Sequence, residues 1–242
     1  MALTEQKQTE HGDVPRPLIW RSQDRYIVGV DLGQAADPTA VCVLQSYSLR
    51  EDPIEPVICR YDVRHLQRLP LGMSYPAVVS DVGMLLQREP LRGQAELVID
   101  ETGVGRAVGD IFEQKGLKPV RVTITAGSDE GSMSGSKRYT VAKSYLVSNL
   151  DAKLHTGELR FAKELSEASA MESELKDFRR HVSEAGRTSF EARSGKHDDL
   201  VLAVAIALWR AVKHRPKFDG SRSTDRPKVI LGYQGLKRRW PR

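Results

Sequence analysis

Tyr26-Ile27-Val28-Gly29-Val30-Asp31 is apolar at every position but the last. A run of this kind, without polar alternation, fits a strand covered on both faces at the centre of a sheet. Gly33, Asp37 and Pro38 then mark a turn. Two further β-rich runs follow over residues 39–47 and 56–63, parted by Asp52-Pro53. Their short connections predict an antiparallel meander. Downstream, Ala95-Glu96-Leu97-Val98-Ile99-Asp100 repeats the opening pattern, an apolar strand that finishes on an aspartate.

Between and after these runs the period changes. Val78, Val82, Leu85 and Leu86 predict an amphipathic helix over 75–89. A second helix is expected over 103–115, closed by Gly116, and a fifth strand over 119–125. Strand, helix and strand imply a parallel pair with a right-handed crossover. Residues 126–136 are rich in Gly and Ser and read as a loop. Ala142, Leu146, Leu150 and Leu154 place a helix over 137–156, a short strand is expected at 159–161, and Leu165 to Phe178 mark another helix. Glu184-Ala185-Gly186-Arg187 reads as the turn of a hairpin within 179–192. A last helix is expected over 199–213. Together these elements predict an α/β domain: a mixed five-stranded sheet flanked by helices.

The 242 residues suit one such domain with tails: a disordered lead over 1–24, the folded unit over 25–213 and a basic tail over 214–242. That tail holds nine Lys/Arg against two acids, a net +7, which leaves −2 for the other 213 residues. A tail of this kind suits a polyanionic partner, or serves as a solubilising extension. The longest apolar run, 200–209, is ten residues, about half of what a membrane span needs. Cys42 and Cys59 are too few for a disulfide framework or a structural zinc site. The polar N-terminus shows no secretory signal, so a cytoplasmic setting is expected.

Three acidic points could carry chemistry. Asp31 and Asp100 end apolar strands, and Asp198 and Asp199 open the apolar last helix. If the two strands are parallel neighbours, their carboxylates meet. Close carboxylates repel, which favours a shared proton or a divalent cation between them. An all-oxygen donor set suits Mg²⁺ or Mn²⁺. Each acid also has a plainer reading: a strand-terminal Asp is commonly a turn residue, and Asp199 before Leu200 is a sound helix cap. His197 could ligate a metal or protonate a leaving group, or be a polar residue before that cap. Lys137, Arg138, Arg187 and Arg193 could grip phosphates or form a solvated face. The glycines of Thr102-Gly103-Val104-Gly105 permit a tight strand-to-helix turn and could admit a phosphate. Gly-Ser-Met-Ser-Gly-Ser-Lys (131–137) does not match a nucleoside-triphosphate loop.

The segments 26–33, 97–105 and 195–207, the last reading Gly-Lys-His-Asp-Asp-Leu-Val-Leu-Ala-Val-Ala-Ile-Ala, resemble the nuclease domain of phage terminase large subunits. Residues 143–158 and Glu174-Leu175-Lys176-Asp177-Phe178 share the likeness, which spans about residues 25–212. The resemblance implies a ribonuclease H-like fold and cleavage of double-stranded DNA by two Mg²⁺ or Mn²⁺ ions. Asp31, Asp100, Asp198 and Asp199 would be the metal ligands, with Asp199 as the principal third. Terminases also carry a packaging ATPase domain that these residues do not show, so the resemblance implies either a separate packaging ATPase, with a small terminase subunit and a portal as further partners, or a truncated or remnant nuclease. A junction-resolving nuclease and a DNA-binding packaging subunit with little cleavage are the rival expectations.

Overall fold

Strand β2 (Arg25–Asp31) lies in the middle of a single mixed sheet. The computed structural model describes residues 20–33, 37–51, 54–103, 105–126, 130–132, 136–184 and 197–215. On one side of β2, β3 (Ala40–Arg50) and β4 (Ile58–Arg68) form the expected antiparallel meander. On its other side, β5 (Ala95–Asp100) and β6 (Val120–Thr125) run parallel to it. These five strands are the ones expected from sequence.

The same sheet extends further at both edges. A two-residue β1 (Trp20–Arg21) pairs with the end of β3, inside the stretch expected to be a disordered lead. Two residues are too few to show a period. Beyond β6 come β7 (Glu130–Ser132) and β8 (Arg138–Ala142), and beyond β4 comes β9 (Leu159–Phe161). Two expectations are corrected here. Glu130–Ser132 is a strand within the predicted loop, and Arg138–Ala142 is a strand, not the first turns of the predicted helix. Arg138-Tyr139-Thr140-Val141 is rich in aromatic and β-branched residues, which suits a sheet.

Among the described residues, five helices cover the sheet. Helices α1 (Tyr75–Leu86) and α2 (Gly105–Gln114) lie on one face. Helices α3 (Lys143–His155), α4 (Ala168–Glu184) and α5 (Asp199–Lys213) lie on the other. Strand β2 serves both layers by its two-residue period: Ile27 joins the core under α5, and Tyr26, Val28 and Val30 join the core under α1 and α2. The expected hairpin within 179–192 is replaced up to Glu184 by the last turns of α4. Extending a formed helix costs less than starting a new strand. Residues 185–192 lie outside the described residues.

Helix α5 is buried along almost its whole length, from Asp199 to Ala211. It reaches the sheet so closely because Gly29 has no side chain. A Cβ at residue 29 would lie 2.2 Å from the Ala203 carbonyl oxygen and 2.9 Å from the Ala207 Cβ. Replacing Gly29 by Ala should therefore force α5 off β2 and cost about 2–3 kcal/mol, lowering Tm by about 5–10 °C. Thermal unfolding followed by circular dichroism measures this, and an unchanged Tm would disprove the tight seat.

Candidate active site

The ends of β2 and β5 coincide. Their parallel register pairs Val30 with Ile99, so Asp31 and Asp100 follow in step at the same edge. Side chains two residues apart share a face. Ile27 and Val98 belong to the core under α5, so Gly29, Asp31 and Asp100 face that helix as well. The seat of α5 on Gly29 brings its N-terminus, with Asp198 and Asp199, over the same edge. Residues 31, 100 and 198–199 thus converge.

Electrostatics confirm the convergence. The Asp31 carboxyl is held well above the ordinary 3.8, first by burial and then by the negative charges of Asp100, Asp198 and Asp199, against a smaller pull from Lys143. Asp100 is also pushed up by burial. Against that push, it accepts hydrogen bonds from the Thr102 hydroxyl (2.5 Å) and the Thr102 amide (2.9 Å), and the Ile124 amide in turn donates to the Thr102 hydroxyl oxygen at 2.9 Å.

The turn after Asp100 is built for this placement. Gly103 has φ +65°, and a Cβ at Gly105 would lie 2.4 Å from the Asp100 carbonyl oxygen. Geometry accounts for both glycines. Behind the turn, the buried Arg121 guanidinium lies 3.6 Å from Glu101, 2.8 Å from Asp110 and 3.1 Å from Glu113, fixing β5 and β6 to α2.

Asp198 occupies the N-cap position of α5 but its side chain makes no capping bond, and Asp199 is the first helical residue. The capping role expected of Asp199 is taken by a distant residue: Glu174 on α4 accepts the Val201 amide at 3.1 Å. Arg68, the last residue of β4, joins the two. Its Nε donates to Asp199 at 2.7 Å, its Nη2 donates to Glu174, and Glu167 lies 3.7 Å away. Burial and the neighbouring Asp199 and Asp198 push Glu174 up to about 8, while the Val201 amide and Arg68 pull the other way. On the opposite side, Lys143 at the start of α3 bonds Asp198. His197 is exposed at the mouth, 3.8 Å from Asp199 and 3.4 Å from Asp37.

Among the described residues, no three His, Cys, Asp or Glu side chains stand in the arrangement of a preformed metal site. Arg68 and Lys143 draw Asp199 and Asp198 to themselves. The donor chemistry nonetheless fits a hard divalent cation: four carboxylates meet, and the negative charge around Asp31 outweighs the pull of Lys143. Of the expected phosphate-gripping residues, Lys137 is exposed just before β8. Arg138 pairs in register with Arg121, which places it on the α2 side of the sheet, away from the acids. Arg187 and Arg193 lie outside the described residues. Sequence reading missed Arg68, Lys143 and Glu174 as members of the site. Lys143 and Glu174 open two segments that carried the terminase likeness; Arg68 gave no signal.

No family model and no curated protein matches the chain. Among solved structures, the large terminase nuclease from thermophilic phage G20c is similar over 77% of this chain and 82% of that one, at 22% identity and a TM-score of 0.52. The fold is ribonuclease H-like. In this ribonuclease H-like sheet the acidic edge lies where the two parallel strands end beneath the last helix. No helix among the described residues is long and apolar enough to cross a membrane.

The raised Asp31 value has a defined sign. The folded chain holds that proton to a higher pH than the unfolded chain does. Raising the pH above about 4 therefore deprotonates the unfolded chain first and weakens the fold. With divalent ions chelated, Asp31→Asn should be more stable than the wild type at pH 7, and the gap should narrow towards pH 4. Urea denaturation at both pH values measures it. A gap independent of pH would show that Asp31 is not under this strain.

Proposed function

We propose that the chain is a metal-dependent endonuclease that cleaves double-stranded DNA, in the setting of phage genome packaging. The observation that carries this reading is the convergence of Asp31, Asp100, Asp198 and Asp199, from three distant parts of the chain, on one edge of the sheet. The similarity in fold to a phage large terminase nuclease supports the substrate and the setting. A packaging ATPase, a small terminase subunit and a portal belong to the same proposal as partners.

Asp31 and Asp100 would hold two Mg²⁺ or Mn²⁺ ions from the sheet, and Asp199, assisted by Asp198, would hold them from the helix. Divalent ions bound there supply Lewis acidity and neutralise the charge that builds on a phosphodiester in its transition state. The protein's own part is orientation. Thr102, itself held by the Ile124 amide, fixes the Asp100 carboxylate, and Arg68 with Glu174 fixes Asp199 and the first turn of α5. His197, exposed beside Asp199, stands where a proton could pass to a departing oxygen. The nine Lys/Arg of residues 214–242 would add sequence-independent grip on the duplex.

Supercoiled plasmid should be nicked or linearised with Mn²⁺ or Mg²⁺ and left intact with EDTA. Asp31→Asn and Asp100→Asn should each lower the cleavage rate by at least about a hundredfold with the fold preserved. Cleavage that survives either substitution would exclude this site. Binding of duplex without cleavage under any divalent ion would instead leave a DNA-binding packaging subunit.

A further inference from the structure

Two protein cations enter the acidic edge, and they are built differently. Arg68 is locked into a frame: its planar guanidinium is shared by Asp199, Glu174 and Glu167, and Glu174 in turn holds the Val201 amide of α5. Lys143 reaches Asp198 on a flexible stem. Both side chains keep about a quarter of their surface exposed, 25% for Lys143 and 22% for Asp198. An ammonium is a point charge with no fixed geometry to lose when it moves.

The position of Lys143 on its own helix gives no reason for a cation. It is the first residue of α3, where the helix dipole disfavours positive charge. The first turn of α3 holds no acid, and the N-cap residue is Ala142, whose side chain cannot cap. What the position does supply is nearness to the acids. Strand β8 runs parallel to β6 and ends at Ala142, level with Thr125 beyond the tip of β5, so the next residue emerges over the acidic edge. There its ammonium meets Asp198 and acts on Asp31.

We propose that Lys143 is an exchangeable counterion: its ammonium neutralises Asp198 beside Asp31 when no divalent cation is bound, and gives up that place when one binds. Arg68, by contrast, stays and holds Asp199 in position. The exchange is electrostatic and needs no other reactant, a single positive charge leaving as a double one enters the same oxygen set. This inference rests on the ion-binding reading of the site, and it assigns the two cations opposite effects on ion affinity.

Isothermal titration of the full chain with Mn²⁺, in the absence of DNA, tests it. Lys143→Met keeps the length of the stem and removes the charge; it should bind Mn²⁺ about tenfold more tightly than the wild type, because a competing cation is gone. Lys143→Arg keeps the charge and should return the affinity towards the wild-type value. Arg68→Gln should bind more weakly, as Asp199 loses its support. In EDTA, Lys143→Met should unfold at lower urea than the wild type, and the difference should vanish at saturating Mn²⁺. Equal or weaker Mn²⁺ binding by Lys143→Met would overturn the exchange while leaving the ion site in place. A folded wild type that takes up no Mn²⁺ would overturn the ion site itself, and the exchange with it.

Discussion

Helix α5 rests on β2 without a side chain between them, and the placement of the acidic edge follows from that contact. Gly29 and Ala203 bring main chain against main chain, and Ala207 continues the seat one turn on. The helix is buried nearly all round, so its position is set by packing on every side. Because Asp31 lies two residues after Gly29, and Asp199 four residues before Ala203, the gap between them is governed by backbone and not by rotamers. The parallel pairing of β2 with β5 then adds Asp100 in register.

Such a seat forces like charges together, and the surrounding residues answer that stress in three ways. Burial and the neighbouring carboxylates push the Asp31 carboxyl towards its protonated form. Thr102, itself held by the Ile124 amide, satisfies Asp100 with fixed hydrogen bonds. Arg68 and Lys143 bring positive charge to the helix end. Buried carboxylates without partners are costly, so an edge that gathers four of them depends on this assembled support. Glu174 illustrates the economy of the arrangement: one carboxylate from α4 caps α5 and anchors the arginine that anchors Asp199.

Much of this was legible in the sequence, and the rest was not for identifiable reasons. The two apolar strands ending in aspartate were plain because a doubly covered strand has no polar alternation, and the parallel β5–β6 pairing followed from the intervening helix, whereas the β2–β5 pairing stood only as a condition. Helix α5 was read to the residue, since an apolar stretch headed by two acids has clear ends. By contrast β8 was absorbed into the helix after it, because the four-residue spacing of Ala142, Leu146 and Leu150 was extended backwards over residues that alternate. Glu130–Ser132 and Trp20–Arg21 pair only through neighbours supplied by the rest of the sheet. The partners of the acids were hidden for another reason. Arg68, Lys143 and Glu174 lie far from the aspartates in the chain, and their value comes from tertiary placement that no local pattern encodes.

The acidic edge draws on residue 31 near one end of the domain and on residues 198–199 near the other, with α5 as the last described element. A growing polypeptide emerging from the ribosome would complete β2, β5 and most of the sheet while one wall of the cluster was still unmade. Contacts this remote in sequence form late. The four-carboxylate cluster would therefore close in a single event, when the final helix docks, and a chain halted short of α5 would lack it.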